Sequence, residues 1–308
     1  MTPQKKILVG IDVGGTKTAV VLSHQPPEVV ARAEFATRPA KGPQPALNLI
    51  KKTIHDLLSE KGLDVSTILR LGVSCGGPLD RLRGIIQSPP NLPTWEDVPL
   101  KAILEEEFKV ECLVENDANA GAVAEHRFGA GKGCQNMVFL TMGTGLGAGI
   151  ITDGRLYRGT NDLAGEVGHL RLTRTGPIGH NKAGSAEGWA SGGGMAQLAA
   201  QSVAAAQKKG RKSLLAEHVR SGKPITAREV GAAAQKGDAV ALDIVRSTGE
   251  RLGEVLAILV DVLNGTRRHR WIGTALGRLA ARAGAARAAA RSAGAIGQRM
   301  PGSTSSLG

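Results

Sequence analysis

Two glycine-rich segments, each predicted to lie between two strands, could bind an anion. The first contains Gly14, Gly15, Thr16 and Lys17, and Asp12 stands just before it. Glycines leave backbone N–H groups open to an anion, because no Cβ obstructs the approach. Thr16 adds a hydroxyl donor, and the Asp12 carboxylate could hold Mg²⁺ or its water ligands. No helix is predicted directly after these glycines, so the segment is neither a Walker A loop nor a Rossmann fingerprint.

The second glycine-rich segment repeats this pattern about 130 residues further along the chain. It contains Thr144 and Gly145, between the strands predicted over 137–142 and 148–152. An ordinary glycine-rich hairpin would explain either segment alone. Two such turns, each between strands, favour a phosphate chain that is held between two lobes.

Asp117 stands at the end of a predicted strand and directly before an alanine-rich helix. A carboxylate in that place can lie in a cleft and accept the proton of an attacking hydroxyl. The neighbouring amide of Asn116 could hydrogen-bond a polyol. The alternative is that Asp117 only caps the helix that follows, which is a common role for aspartate.

Further acidic residues and a histidine lie among glycines later in the chain. Glu166 is followed three residues later by His169, and Glu187 lies in a second glycine-flanked segment. Carboxylates suit vicinal hydroxyls because each oxygen accepts hydrogen bonds. Polar loop residues exposed to solvent are the alternative. A metal site at His169 is disfavoured, since no cysteine lies nearby and His180 is eleven residues away.

Apolar periodicity predicts the elements that must position these side chains. Strands are predicted over 7–13, 18–23, 29–35, 68–73, 112–114, 137–142 and 148–152, and helices over 44–61, 97–109 and 239–264. Short turns join the first three strands, which predicts an antiparallel meander. The later strands alternate with helices, which predicts a mixed sheet covered by helices.

Composition excludes several classes of protein. The chain has 308 residues, of which 42% are hydrophobic, enough for about two domains with proper cores. The sequence contains no run of 18 apolar residues, so it predicts no transmembrane helix. Its N-terminus does not resemble a secretory signal. The three cysteines are too few for a disulfide framework. We therefore expect a cytoplasmic protein that does not associate with membranes.

The net charge of +12 is concentrated at one end of the chain. Residues 266–308 contain eight arginines, no lysine and no acid, so residues 1–265 carry only +4. A basic tail can bind nucleic acid through its phosphates. We do not expect nucleic acid as a partner here, because a shift of reading frame explains the composition of the tail better.

Six segments together resemble the ROK family of sugar kinases and repressors. They are Asp12-x-Gly-Gly-Thr16, Cys75-Gly-Gly-Pro78, Pro90-Asn91-Leu92-x-x-Trp95, Glu115-Asn116-Asp117-Ala118-Asn119-Ala120, Thr144-Gly145-x-Gly147 and Glu166-x-Gly-His169. The resemblance implies an α/β, actin-like ATPase (ribonuclease-H-like) fold. Its two lobes would have mixed sheets, with ATP·Mg²⁺ and a hexose in the cleft. We expect a small lobe over 1–117, a large lobe over 118–264 and an anomalous tail over 265–308.

The resemblance also implies roles for individual residues. By position, Asp117 matches the family's general base. Sugar-binding roles fall on Asn91, Asn116, Glu166, His169 and Glu187. Phosphate and metal roles fall on Asp12, Gly14, Gly15, Thr16, Lys17, Thr144 and Gly145, with Asp12 as the metal ligand. The implied activity is ATP-dependent phosphorylation of a hexose hydroxyl, the 6-hydroxyl of glucose or a related sugar, by a protein that could form a homodimer.

Two departures from the family pattern refine these expectations. Many members carry a zinc site made of the histidine and three cysteines, but no cysteine lies between His169 and Glu187, so we predict no zinc. Repressor members carry a DNA-binding module before the first glycine turn, and Asp12 leaves no room for one. This favours a kinase over the alternative, a sugar-responsive transcription regulator.

The third departure lies after Asn264. The family continues there into a strand and a Gly-Gly turn that hold adenosine, whereas residues 265–273 read Gly-Thr-Arg-Arg-His-Arg-Trp-Ile-Gly. Synonymous codons for this stretch, shifted by one frame, can encode the family pattern, so we predict a frameshift at about residue 264. The alternative is a genuine divergent tail with an alanine-rich helix over 274–290. A genuine tail would predict weak or no kinase activity, as in a non-catalytic remnant.

Overall fold

The structure is a computed structural model that describes residues 6–263. The tail predicted over 265–308 and the predicted frameshift lie outside the described residues. The strands of the described range are Ile7–Val13 (β1), Lys17–Ser23 (β2), Ala31–Ala36 (β3), Ile68–Cys75 (β4), Leu79–Asp80 (β5), Ile85–Ile86 (β6), Cys112–Asn116 (β7), Met137–Met142 (β8), Leu146–Thr152 (β9), Arg155–Tyr157 (β10), Ile178–Gly179 (β11) and Lys182–Ala183 (β12). Its α-helices are Pro43–Glu60 (α1), Leu100–Phe108 (α2), Asp117–Phe128 (α3), Ala186–Ala190 (α4), Gly192–Lys208 (α5), Ala216–Arg220 (α6), Ala227–Gln235 (α7) and Ala239–Leu263 (α8).

The strands and helices predicted from apolar periodicity are confirmed, with ends that shift by a few residues. The helix predicted over 97–109 begins later, at Leu100, because Pro99 stands at its N-cap and disfavours a helical residue before it. Helices α4 to α7 were not predicted. Alanine and glycine dominate much of that stretch, so the helix faces differ little in hydrophobicity.

The chain divides into two compact units. The first extends to Gln135 and includes Gly149–Asp162, and the second contains Asn136–Ala148 and the chain from Leu163 onwards. The division therefore falls within β9. The lobe boundary expected after residue 117 stays a prediction.

The first unit is built on a five-stranded mixed sheet in the order β3-β2-β1-β4-β7. Strands β1, β2 and β3 pair antiparallel, which confirms the predicted meander. Strands β1, β4 and β7 run parallel, so their carboxyl ends meet at one edge of the sheet. The residues that follow these strands are thereby brought together, although they are far apart in sequence.

Alternation along β1 explains where the core of this unit lies. Ile7, Val9, Ile11 and Val13 are buried and share one face of the strand, since successive side chains point to opposite faces. They belong to one apolar cluster with the buried stripe of α1, which includes Ile50 and Ile54. Full burial of each such side chain contributes about 1.5–3 kcal/mol to folding, so this cluster keeps the sheet packed against α1.

The second unit is largely helical and has two apolar clusters. One joins α5 and α7 to the start of α8, and the other joins the first residues of β9 and helix α4 to the middle of α8. Long apolar stretches of α8 are thereby buried inside the unit. Among the described residues, no helix combines the length and apolarity needed to cross a membrane. The expected cytoplasmic location and homodimer stay predictions.

Candidate active site

The carboxyl edge of the parallel strands carries the polar residues that the sequence singled out in the first unit. Asp12 on β1 pairs in register with Ser74 on β4, and Ser74 pairs with Glu115 on β7. The Ser74 hydroxyl donates a 3.1 Å hydrogen bond to Asp12 Oδ1. Asp117 begins α3 directly after β7. The sheet therefore presents Asp12 and Asp117 at one edge, from the carboxyl ends of β1 and β7, which lie on either side of β4.

Asn116 caps helix α3, and Asp117 occupies the first helical position. Asn116 Oδ1 accepts hydrogen bonds from the backbone N–H groups of Ala118, at 3.0 Å, and Asn119, at 3.3 Å. One Asp117 oxygen accepts a 2.8 Å bond from the same Ala118 N–H. Capping therefore does not explain the aspartate, because its neighbour already provides the cap.

The surroundings of Asp117 shift its acidity. The side chain reaches solvent, yet nearby protein atoms partly desolvate the carboxylate, and this is the main reason that its pKa is raised. The negative charge of Asp12 raises the pKa further, while the hydrogen bond from Ala118 acts against the shift. An aspartate with a raised pKa is a stronger proton acceptor once it is ionised.

Asn91 lies between two glycine-containing loops of the same unit. A Cβ at Gly15 would collide with the Asn91 carbonyl oxygen and lie 2.8 Å from the Asn91 Cβ. A Cβ at Gly76 would lie 3.4 Å from Asn91 Oδ1, and one at Gly77 would lie 3.5 Å from Asn116 Nδ2. The two amide side chains predicted to bind sugar thus lie against the Gly76-Gly77 loop. This loop is part of one of the six family-like segments, but no role was predicted for it.

The first glycine turn is held by a residue that no sequence pattern indicated. Thr37 is 2% exposed, and its hydroxyl donates a 2.6 Å hydrogen bond to the Gly14 carbonyl. The Thr18 hydroxyl lies 2.9 Å from it and donates to it, and the Thr37 N–H donates to the Thr16 carbonyl at 3.1 Å. Gly14 in the turn and Thr18 after it are therefore hydrogen-bonded to one buried side chain.

Lys17 is engaged on the surface beside this turn. Its ammonium lies 3.2 Å from Glu34 Oε2, and Arg32 lies 2.6 Å from the same oxygen. The hydrogen bonds from Arg32 and Lys17 lower the pKa of Glu34, so this carboxylate stays ionised in the neutral range. The predicted phosphate-binding role of Lys17 stays a prediction.

Several residues outside the predicted site fix the position of the start of α3. Arg158 Nε and Nη2 donate to Glu115 Oε2 at 3.0 and 2.8 Å. Glu115 Oε1 accepts from the side chain of Asn119 at 3.2 Å. A Cβ at Gly149 would lie 2.5 Å from the Ala118 carbonyl oxygen, so only glycine lets β9 pass so close to the helix. Asn119 belongs to the family-like segment that begins at Glu115, but nothing in the sequence indicated a role for Arg158.

In the second unit, the second glycine turn packs against Glu187. The Leu146 N–H donates a 3.1 Å hydrogen bond to Glu187 Oε2, and a Cβ at Gly145 would lie 2.6 Å from that oxygen. The first N–H groups of α5 donate to the carbonyls of Gly143 and Thr144. The helix and the carboxylate thus shape the turn together.

Glu166 and His169 lie on a short 3-10 turn that packs on the same region. A Cβ at Gly168 would collide with the Leu146 carbonyl oxygen, so this turn approaches the glycine segment closely. His169 Nε2 lies 3.3 Å from Glu166 Oε2. Partial burial lowers the pKa of His169, and the Glu166 carboxylate opposes that shift. The predicted Thr144, Gly145, Glu166, His169 and Glu187 are therefore neighbours within this unit.

The structure adds His180 to this group. Its ring stacks on that of His169 with centroids 3.7 Å apart and an interplanar angle of 25°. In the sequence, His180 is a candidate metal ligand only, and its distance along the chain from His169 disfavours that role. A two-residue hairpin turn brings it back to His169.

The donor set fits magnesium better than a structural zinc ion. Magnesium is commonly held by one or two carboxylates together with phosphate oxygens and waters, and the Asp12 carboxylate at the sheet edge could supply such a ligand. Within residues 6–263, no three His, Cys, Asp or Glu side chains are grouped so as to hold a metal ion. The absence of zinc stays a prediction.

Comparisons with known proteins identify the family of this chain. The ROK family model matches residues 8–267. A glucokinase from Halalkalibacterium halodurans is 34% identical over 258 residues, which are 83% of this chain and 77% of that protein. A glucokinase from Thermotoga maritima is 30% identical over 83% of this chain and 78% of its own length.

Solved structures give the same result for the fold. The crystal structure of a ROK family glucokinase from Streptomyces griseus, in complex with glucose and AMPPNP, is 32% identical, with a TM-score of 0.70. The match covers 84% of this chain and 80% of that one. The α/β, actin-like ATPase fold that the motifs implied is therefore confirmed. The family model and the relatives agree, and this chain belongs to the ROK family.

Proposed function

We propose that this protein transfers the γ-phosphoryl group of ATP to the 6-hydroxyl of glucose or a closely related hexose. It is an ATP-dependent sugar kinase. The observation that carries the proposal is the Asp117 carboxylate, partly desolvated beside Asp12 at the carboxyl edge of the parallel strands. Its relatives include glucokinases, and the Streptomyces griseus glucokinase structure is a complex with glucose and AMPPNP.

Asp117 acts as the general base in this reaction. The carboxylate accepts the proton of the sugar hydroxyl while that oxygen attacks the γ-phosphorus. A new oxygen–phosphorus bond forms, the bond from the γ-phosphorus to the bridging oxygen breaks, and ADP leaves. The raised pKa of Asp117 favours the transfer, since a more basic carboxylate takes the proton more readily.

Five polar side chains bind the hydroxyls of the sugar. They are Asn91, Asn116, Glu166, His169 and Glu187. Such contacts matter because phosphoryl transfer depends mostly on positioning and charge stabilisation.

The glycine turns bind the phosphates. Gly14, Gly15 and Thr16 offer backbone and hydroxyl donors, and Thr144 and Gly145 do the same. Asp12 would hold Mg²⁺, which neutralises phosphate charge when it is bound. The hydrogen bond from buried Thr37 to the Gly14 carbonyl stabilises the conformation of the first turn.

The test is ADP release by the purified chain with ATP·Mg²⁺ across a panel of hexoses and amino sugars. We expect release that depends on one hexose, with glucose as the first candidate. A folded protein that releases no ADP with any sugar would contradict the proposal. It would favour a non-catalytic remnant of a kinase, and the same assay on a frame-restored chain would then test the tail after residue 264.

Changing Thr37 to valine is expected to raise the KM for ATP about tenfold and to leave the KM for hexose nearly unchanged. Valine has the same shape but cannot hydrogen-bond the Gly14 carbonyl or the Thr18 hydroxyl, so the turn loses its buried fastening. A lost hydrogen bond of this kind is worth about 1–3 kcal/mol when a buried group is left unpaired.

Steady-state kinetics with each substrate varied separately would measure this effect. Thr37→Ser is the control, because serine keeps the hydroxyl and should keep the KM for ATP close to that of the wild type. An unchanged KM for ATP in Thr37→Val would show that the fastening does not matter for nucleotide binding.

A further inference from the structure

The turn between β11 and β12 contains two consecutive non-glycine residues with positive φ. The strands pair Ile178 with Ala183 and Gly179 with Lys182, which leaves His180 and Asn181 as a two-residue loop. Their φ angles are 47° and 55°. Two-residue hairpin turns of this type favour Asn-Gly or Gly-Gly, because side chains crowd the backbone at positive φ. Histidine and asparagine are among the non-glycine residues that adopt positive φ most often, yet glycine would be more favourable at either position.

The His180 ring has one prominent contact that explains its presence. It stacks on His169 with centroids 3.7 Å apart, although much of His180 itself is exposed to solvent. Two residues further on, Lys182 Nζ donates a 2.8 Å hydrogen bond to the His169 carbonyl. The hairpin thus contacts both the ring and the backbone of His169.

The hairpin is a firm support because its own backbone is anchored. The side-chain amide of Gln197 on α5 bonds both the N–H of Ile178, at 2.9 Å, and its carbonyl, at 2.7 Å. The Ser185 hydroxyl, which is fully buried, donates to the Gly179 carbonyl at 3.1 Å. These bonds fix the residues on the N-terminal side of the turn, so the position of His180 is set by α5 and by the start of α4.

We propose that His180 is a positioning residue for the hexose: its ring holds the His169 imidazole in the orientation that binds the sugar. The inference rests on the proposed function, in which His169 binds a hexose hydroxyl. Strained backbone persists where the surrounding structure enforces it and where a functional contact gains from it. Here the gain is a fixed imidazole, with Glu166 on one side and the His180 ring on its face.

A matched pair of glycine variants separates the ring from the turn. His180→Gly removes the ring and relieves one positive φ, while Asn181→Gly relieves the neighbouring positive φ and leaves the ring in place. Neither change should lower Tm, because glycine adopts this conformation without steric crowding. We expect His180→Gly to raise the hexose KM about threefold to tenfold, the scale of a lost ring stack, with the KM for ATP unchanged. We expect Asn181→Gly to keep both KM values.

Rescue provides a second readout. His180→Phe restores a flat ring without a titratable group and should bring the hexose KM back towards the wild-type value. Equal hexose KM values for His180→Gly and the wild type would overturn the proposal. An equal rise in both glycine variants would also overturn it, since the turn and not the ring would then be responsible.

Hexose affinity is also measured directly by calorimetry with glucose and the other sugars of the panel. A wild-type protein that binds a hexose but releases no ADP would contradict the proposed function, and the affinities of the variants would still decide the role of His180. A wild-type protein that binds no hexose would overturn this inference as well.

Discussion

Asp117→Asn is expected to lower kcat at least about a hundredfold, while hexose binding is retained. Asparagine has the same shape and can still accept the hydrogen bond that Ala118 donates to Asp117 Oδ1, so the first turn of α3 should be preserved. It cannot take up the proton of the sugar hydroxyl. Single-turnover kinetics and hexose affinity, measured on the same preparation, would separate the chemical step from binding.

Thermal unfolding provides the control for this variant. The pKa of Asp117 is raised in the folded state, so ionising it destabilises the fold. That penalty is absent below the pKa of the unfolded chain and complete above the folded pKa. At neutral pH, Asp117→Asn should therefore have a Tm equal to or above that of the wild type. Retained kcat in a variant with normal Tm would remove Asp117 from the role of base.

The same residue determines the acidic limb of the pH profile. As the pH falls through the raised pKa of Asp117, the carboxylate becomes protonated and can no longer accept the hydroxyl proton. The value of kcat/KM for hexose should therefore fall, and its midpoint should lie above the ordinary range for an aspartate. A limb at an ordinary aspartate pKa would contradict the link between desolvation and basicity.

Gly15→Ala is expected to lower kcat/KM about a hundredfold, a loss that small displacements of reacting groups can cause. The added Cβ would collide with the Asn91 carbonyl oxygen and lie 2.8 Å from the Asn91 Cβ. Backbone must then move, either in the phosphate-binding turn or in the segment that carries Asn91. We expect the KM values for ATP and for hexose to rise together.

Gly72→Ala is the matched control for Gly15→Ala. It makes the same chemical change on β4 of the same unit, where an added Cβ meets nothing within 4 Å. Kinetics of both variants, with Tm as a check on folding, measure the effect of the collision itself. If Gly15→Ala kept wild-type KM values for both substrates, the close contact with Asn91 would have no bearing on catalysis.

Local patterns in the sequence determined much of the first unit. Strand β1 and helix α1 were predictable because alternation and helical spacing are properties of neighbouring residues. Asp12 and Asp117 were predictable as site residues because Asp12 lies at the carboxyl end of an apolar strand and Asp117 follows one directly. The glycines beside Thr16 and Thr144 were predictable because glycine at a turn between strands is a local signal.

Only the tertiary structure decided which residues support that site. Thr37 holds the first glycine turn from 23 residues away, and Arg158 bonds Glu115 from 43 residues away. His180 stacks on His169 from the tip of the β11–β12 hairpin. None of these residues has a neighbour in sequence that marks it. Their roles arise from strand pairing and helix packing, which bring side chains together at distances that no local pattern encodes.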